Sequence, residues 1–326
     1  MSLRIIKAGL FDSIQDSGRY GYQHLGINPT GAMDRYAAKL ANALLGLDLD
    51  AAVIEIHFPA AQILFEEPAI VCVAGADLSP TINNKEIFIN QPYLVGAKSL
   101  LKFNRPVNGA RSYLAVYNEL AVERWLTSYS TNTKAGAGGF YGRRLMKDDV
   151  IHCQKRLQFD AGNEMLIALP WKEKIESNQE RIEFTEGPEW TWLTEEAQGQ
   201  FQKGPFQITP SSDRMGYRLS GRALQPKDTS QLVSSAVTFG TIQLLPNGQL
   251  IVLMADHQTT GGYPRVANII SAHLPSLAQR NPGATIHFQK TSVERAEEKI
   301  LQQQKRLLKI QKECKLAIQK WFDGQD

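Results

Sequence analysis

Cysteine is scarce in this chain: three residues among 326, at Cys72, Cys153 and Cys314. They lie far apart, with no CxxC and no Cys/His pair at metal-ligand spacing, which argues against a disulfide scaffold and against a zinc site. Long apolar runs are missing too, and none approaches the roughly 18 residues that a membrane span needs. The N-terminal stretch MSLRIIKAGLFDSIQD lacks the apolar core and small-residue cleavage site of a signal peptide. Reduced thiols and these absences together suit a cytoplasmic protein. Several signatures of catalysis are also absent: there is no GxxxxGK[ST], no GxSxG and no HExxH. The cluster Gly136, Gly138, Gly139 and Gly142 misses GxGxxG because Tyr141 stands at the third glycine position. It also lacks the strand before and the helix after that would seat a pyrophosphate. His57 and His287 fall in strand-like runs and read as structural residues.

What is present is an ordinary globular composition, 43% hydrophobic and 21% charged, with length enough for two domains or lobes. The net charge is +3 and the pI about 8.6, which invites a nucleic-acid reading. Residues 293–320 carry eight basic and four acidic groups, leaving 28 basic and 29 acidic residues elsewhere. The body is therefore at −1 and the tail at +4, so no nucleic-acid role is expected.

Residues 32–45 place Met33, Ala37, Leu40, Ala41, Leu44 and Leu45 on one face at helical spacing, with Thr30 or Gly31 to start the helix and Gly46 to end it. From about residue 53, short β-branched and aromatic runs (VIEIHF, AIVCVAGA, RSYLAVY) alternate with turn residues such as Asn83-Asn84 and Asn108-Gly109. A second such set (RIEFTEG, TIQLL, QLIVLMAD, TIHFQK) follows late in the chain. Both read as antiparallel strands closing sandwiches or barrels. The expected division is 1–178, 179–290 and a helical tail at 291–326. In that tail Val293, Ala296, Ile300, Gln303, Leu307, Ile310, Cys314, Ala317 and Trp321 recur in steps of three and four, as one seam of an amphipathic helix. The seam could pack on its own body, form a homodimer or partner coiled coil through 293–321, or lie on a membrane surface.

Three segments combine glycines with charged and amide side chains. They are QDSGRYGYQHLG, with Gln15, Asp16, Arg19 and His24, running on to Gly31 and Asp34; SSDRMGYRLSG, with Asp213, Arg214 and Arg218; and ADHQTTGGYPR, with Asp256, Gln258, Thr259, Thr260, Gly261, Gly262 and Tyr263. Glycine pairs admit a ligand close to the backbone, arginine offers a planar pair of donors for a carboxylate or phosphate, and carboxylates can act as bases. Each segment could equally be a local turn brace, and Asp34 could merely favour a helix dipole.

Taken in order, KAGLFDSIQDSGRYGYQHLG, TGAMDRYAAKLANALLG, SSDRMGYRLSG, GTIQLLPNGQLIVLMADHQTTGGYPR and LAQRNPGATIHF resemble the KipA / allophanate hydrolase subunit 2 family. That is the carboxyltransferase-type domain found also in urea amidolyase and in the C-subunit of the ATP-dependent bacterial 5-oxoprolinase. The resemblance implies a mainly β fold of two cyclophilin-like β-barrel lobes with a few helices, here followed by a long C-terminal amphipathic helix. It also implies action beside a KipI-like subunit and a LamB/YcsF-like subunit, opening the lactam of 5-oxoproline to glutamate, with ATP bound somewhere in the complex. The chain departs from the family pattern at Tyr117, Asn118 and Glu119 and again at Thr127, Ser128, Tyr129, Ser130 and Thr131.

Under the first reading Asp34 and Asp256 act as acid and base. Arg19, Arg214 and Arg218 bind an anion, Gly261 and Gly262 offer backbone donors, and Gln15, His24, Asp213, Gln258, Thr259, Thr260 and Tyr263 contact a small amide. A second reading is a biotin-dependent carboxyltransferase acting on urea or a related amide, with biotin arriving on another protein. A third is a non-catalytic regulator that binds a KipI-like kinase inhibitor.

Overall fold

The computed structural model describes residues 1–157, 165–173, 181–227 and 232–323. The chain is mainly β and divides into two compact units: Met1–Gly18, Asp34–Glu176 and Gln304–Asp326 form the first, Arg19–Met33 and Ser177–Gln303 the second. The expected cut near 178 lies outside the described residues. Segment 19–33 counts with the later unit, and the tail is divided between the two, which the linear division 1–178, 179–290, 291–326 does not contain.

Unit 1 holds two antiparallel six-stranded sheets. One runs Val150–His152, Ser2–Lys7, Gln62–Phe65, Ser99–Phe103, Pro80–Ile82, Lys85–Glu86; the other Leu166–Ala168, Pro92–Val95, Ala69–Asp77, Asn108–Val116, Val53–His57, Ser13–Gln15. Period-two alternation decides which side chains meet between them. In Gln62–Phe65 it is Ile63 and Phe65 that are buried, and in Ser99–Phe103 it is Ser99, Leu101 and Phe103. These pack with Ile14, Ile54, Ile56, Leu114 and Val116 of the second sheet in one apolar core.

The outer face of the second sheet is covered by helix α1 (Arg35–Leu44), which packs on Ala69–Asp77 and Asn108–Val116. The helix begins later than Thr30 or Gly31 because Asp34 is the N-cap, its Oδ1 accepting the Ala37 N–H at 2.8 Å. Gly46, with φ +64°, follows its end as the sequence suggested.

Alternation then requires Ser13, Gln15, Glu55, His57, Arg111 and Tyr113 to share the face under α1. Glu55 stands opposite both Ser13 and Tyr113, and His57 opposite Arg111. Asp12 lies just before this row and is fully buried, accepting the His57 N–H at Oδ1 (2.8 Å) and the Ala61 N–H at Oδ2 (2.7 Å).

Unit 2 is a closed barrel in the order Arg181–Glu186, Arg265–Ile269, Thr241–Leu244, Leu250–Leu253, Gly216–Ser220, Pro205–Ile208, Thr285–Lys290. The circle closes by parallel pairing of Arg181–Glu186 with Thr285–Lys290. Helix α2 (Glu195–Lys203), capped by Thr194, drives Ala197 and Phe201 into its interior. There Phe201 stacks on Phe288 at 4.8 Å and meets Phe184 and Trp190 edge-on or nearly so. Met33 belongs to the same core, which is why its segment groups with unit 2. A short helix, α3 (Leu274–Ala278), follows the strand Arg265–Ile269.

The tail is one helix, α4 (Val293–Asp323). Within unit 2, Lys299 Nζ donates to Glu183 at 2.7 Å and Gln303 Nε2 to the Ala272 carbonyl at 3.0 Å. Within unit 1, Leu307, Ile310, Cys314 and Ile318 are buried, and Gln311 Nε2 donates to the Leu47 carbonyl. A Cβ on Gly46 would stand 2.6 Å from the Lys315 Cα, so the glycine also admits the helix. Part of the seam therefore packs on its own chain, where Leu307, Ile310 and Cys314 are covered. Ile318 replaces Ala317 in the seam because a straight helix of 3.6 residues per turn outruns a heptad.

Burial pushes the Asp12 carboxyl from 3.8 up to about 7, against the two N–H groups that favour its charge, and Glu55 adds to the rise. With its folded value above its unfolded one, the native state holds the extra proton between them, so this stabilising contribution fades as pH rises from about 4 to about 7. Urea midpoints measured across that range are expected to fall for the native chain relative to Asp12→Asn, which carries no titrating group there. Parallel profiles would contradict the assignment.

Candidate functional site

In unit 2, the strands Gly216–Ser220 and Leu250–Leu253 are paired with Gly216 opposite Leu253. Past the strand ends that register slips by one residue, and the Asp256 N–H donates to the Arg214 carbonyl at 2.8 Å. The side chains meet in a bidentate pair, Arg214 Nε to Asp256 Oδ2 at 2.8 Å and the NH2 nitrogen to Oδ1 at 3.0 Å. The same NH2 nitrogen donates to the Gly31 carbonyl at 2.7 Å, and Asn28 Nδ2 donates to the Asp256 carbonyl at 3.1 Å. Arg19 is wholly buried nearby in the chain, its backbone N–H on the Pro29 carbonyl (2.8 Å) and its NH1 nitrogen on Thr30 Oγ1. Pieces of all three polar segments are thus fastened together by one ion pair.

Beside that pair in sequence opens a cleft of about 510 Å³, whose polar lining includes Asp213, Arg218, Gln243, Gln258 and Tyr263, with Leu245 and Ile251 as apolar wall. Asp213 Oδ1 accepts the N–H groups of Met215 (2.8 Å) and Gly216 (3.2 Å), an Asx-type turn that fixes the carboxylate. Gln243 is buried and its Nε2 donates to the Tyr263 carbonyl at 3.3 Å. A Cβ on Gly261 would lie 2.6 Å from that nitrogen, so this glycine lets the amide reach the loop. Thr260 and Gly261 pair with Ala236 and Ser235 in a short ladder, Thr259 accepts the Val237 N–H at 3.2 Å, and Gly262 follows. His24 is exposed on the turn Gln23–Leu25 and does not line the cleft.

Sequence reasoning did not single out Gln243 or His257. Gln243 sits mid-strand in TIQLL with nothing to distinguish it from a buried polar exception. His257 is buried, its Nδ1 against the Gln258 carbonyl, and its place directly after Asp256 was the available signal.

The other expected residues lie in unit 1. Asp34 caps α1, and its backbone N–H donates to the Tyr113 hydroxyl (2.8 Å), which in turn donates to Glu55 Oε2 (2.8 Å). Burial and the Glu55 carboxylate together hold the Tyr113 phenol well above its ordinary value. Arg111 Nε donates to His57 Nε2 at 3.0 Å, so that nitrogen is the acceptor, and Gln15 Nε2 donates to Ser13 Oγ at 2.9 Å. Asp16 gathers the departing segment: Ser128 Oγ and Ser130 Oγ donate to its Oδ1, and the Tyr129 N–H to its Oδ2 at 2.6 Å. Hydroxyls and backbone there satisfy a buried carboxylate.

Among the described residues no group of His, Cys, Asp and Glu is arranged to hold a metal ion, and no helix is long and apolar enough to cross a membrane.

A closed β-barrel unit joined to a two-sheet β unit, with Gly-rich polar turns at the barrel rim, is the architecture of a carboxyltransferase-type domain. Residues 25–290 match the family model described as carboxyltransferase domain, subdomain A and B, and the chain belongs to that family. It is 36% identical over 294 residues to the 5-oxoprolinase C-subunit of Escherichia coli (strain K12), covering 90% of this chain and 93% of that one. It is 28% identical to the urea amidolyase of Saccharomyces cerevisiae, covering 90% of this chain and 17% of that protein. The crystal structure of the K. lactis urea amidolyase superposes with a TM-score of 0.86 at 26% identity, covering 95% of this chain and 20% of the other, so this chain spans about a fifth of that enzyme.

Arg214 is 7% exposed, so removing its counter-charge leaves a nearly dry guanidinium. Asp256→Asn is expected to lower unfolding stability by roughly 2–4 kcal/mol, and the apolar double variant Arg214→Met/Asp256→Leu by less. Urea denaturation of the wild-type chain and the two variants checks this; a larger loss in the double variant would refute it.

Proposed function

We propose that this chain is a subunit of an ATP-dependent 5-oxoprolinase, acting with KipI-like and LamB/YcsF-like partners to hydrolyse the lactam of 5-oxo-L-proline to L-glutamate. The observation that carries the reading is the 36% identity to the 5-oxoprolinase C-subunit across nine-tenths of both chains. The chemistry of the unit 2 cleft supports it. 5-Oxoproline presents one carboxylate and one cis amide. Arg218 suits the carboxylate, and the amides of Gln243 and Gln258 complement the lactam N–H and C=O.

An unstrained five-membered amide resists water. ATP supplies a phosphoryl group that converts the amide oxygen into a leaving group. Water then adds at the ring carbonyl carbon, the C–N bond breaks as the nitrogen takes up a proton, and a second water releases phosphate from the acyl phosphate so formed. Asp213 is better placed than Asp256 to take the proton from water, because Asp256 is held by Arg214 while the described hydrogen bonds of Asp213 engage only Oδ1. Arg218 is the one cation lining this cleft among the described residues. A single guanidinium matches a carboxylate and falls short of a triphosphate, which favours an ATP site elsewhere in the complex.

A second reading, carboxyl transfer from biotin carried on another protein to urea or a related amide, draws on the TM-score of 0.86 to the K. lactis urea amidolyase. Transfer of labelled bicarbonate into product by a reconstituted system separates the two. For the first reading, Asp213→Asn is expected to lower ATP-dependent 5-oxoproline hydrolysis by the assembled complex at least 100-fold, with assembly unchanged. Turnover near the wild-type rate removes Asp213 from the mechanism. An assembled wild-type complex that releases no glutamate refutes the substrate assignment itself.

A further inference from the structure

The glycine cluster that fails as a nucleotide loop builds something else. In unit 1 the segment Asn132–Ala137 closes on itself, each of the two backbone N–H groups donating to the other residue's carbonyl (2.8 and 3.2 Å), and the Gly142 N–H donates to the Gly138 carbonyl at 2.8 Å. A Cβ on Gly142 would lie 2.0 Å from the Gly136 carbonyl carbon, and one on Gly139 would lie 1.9 Å from Thr131 Oγ1. Tyr141 is held in this loop at φ +55°, a conformation that bulky L-residues rarely adopt. Its side chain is nevertheless 78% exposed, so packing within the chain does not explain why it is held there.

The ring is fixed rather than loose. It meets Phe140 edge-on at 4.6 Å, with the Arg143 guanidinium 5.7 Å from both rings. Arg143 is itself clamped by Asp149 at 2.7 and 2.8 Å, and Asp149 Oδ2 also accepts the Met146 N–H. Arg144 donates to the Leu10 carbonyl at 3.1 Å, and the Asp148 N–H donates to the Ile5 carbonyl at 2.8 Å, so segment 5–12 runs beside 144–148. Leu10 and Met146, 57% and 50% exposed, lie on these two adjoining segments, Met146 five residues beyond Tyr141. Around them Lys7, Lys134, Arg144 and Lys147 are exposed, against one exposed acid, Asp148. None of these four cations is in an ion pair among the described residues.

We propose that Tyr141, flanked by Leu10 and Met146, is the anchor of a protein-docking surface that receives a partner subunit presenting carboxylates around an apolar pocket. A rigid aromatic held out at little entropic cost, inside a charged rim, is how interface hot spots are built. The charge selects the occupant. A second copy would bring the same cations face to face, which disfavours self-association, whereas an acidic partner is attracted. Leu10 and Met146 offer nothing to a sugar–phosphate chain, which favours protein over RNA. The inference rests on the multi-subunit reading above, but names a surface within unit 1, away in sequence from the cleft residues.

The test is titration of the full chain against the purified KipI-like and LamB/YcsF-like subunits from the same organism by calorimetry. Tyr141→Ser is expected to weaken binding to one of them at least 30-fold, Tyr141→Phe to leave it unchanged, and Arg144→Glu/Lys147→Glu to weaken it and flatten its salt dependence. Melting curves of the variants should overlay the wild type, because the ring is in solvent. Wild-type affinity in Tyr141→Ser overturns the proposal, as does failure of both subunits to bind the wild-type chain. Tyr141-dependent self-association, or Tyr141-dependent binding of a single-stranded RNA oligomer, overturns it in favour of those occupants. Tyr141-dependent assembly into a complex that cannot hydrolyse 5-oxoproline leaves the docking surface standing and refutes only the substrate assignment.

Discussion

A guanidinium taken out of water needs acceptors in the plane of its nitrogens, and Arg214 finds them on the Asp256 carboxylate and the Gly31 carbonyl. That requirement organises unit 2 beyond its barrel. The pair joins three stretches separated by some 180 and 40 residues, as the spacings of 183 and 42 between its partners record. Asp213 and Met215 flank Arg214, while Gln258 stands two places beyond Asp256, so the walls of the cleft are set by the same contact. The ion pair is costly to bury and is no assurance of stability. Its evident effect is register: one orientation of each loop satisfies both charges.

Unit 1 meets the same constraint with less formal charge. The face under α1 carries Glu55 and Tyr113 where an ordinary sheet–helix contact would be apolar. Tyr113 answers Glu55 with its proton and uses its lone pair for the Asp34 N–H, so the start of α1 is anchored to the strand beneath it. Asp16 is answered by two serines and two backbone N–H groups, and Asp12 by two backbone N–H groups. The Asp12 carboxyl is raised to about 7, because its two amide donors do not offset its burial.

Much of the strand content and the C-terminal helix was legible, because alternation and helical spacing are local. So was Gly46, whose left-handed turn ends α1. The assignment of Asp34 as an acid or base rested on residue type. In the fold its Oδ1 accepts the Ala37 N–H, a capping role equally written in its place one residue before Arg35. Arg214 and Asp256 read in the sequence as separate groups, and the fold pairs them only where two strands 30 or so residues apart slip by one residue beyond their ladder. The grouping of residues 19–33 with the barrel unit was not legible at all. It depends on Met33 entering a core whose other members begin at Ile182, and no local pattern encodes so distant a partner.

The uneven charge noticed in the sequence also acquires a physical meaning. The tail's surplus is carried on the outer faces of α4, since Leu307, Ile310, Cys314 and Ile318 turn inward, leaving Lys305, Lys309, Lys312, Lys315 and Lys320 in solvent. Those lysines solubilise a helix whose work is done on its other side, and they need no acidic partner to explain them. The cations around Tyr141 differ because they surround an aromatic held out by its own backbone at positive φ, whereas the exposed Leu301, Leu308 and Leu316 of α4 ride on a helix already packed through its other face. Charge over a satisfied seam is solvation, whereas charge around an unsatisfied apolar anchor is recognition. By that distinction the proposed subunit contact belongs to the small glycine loop, and the more conspicuous helix is part of the chain's own packing.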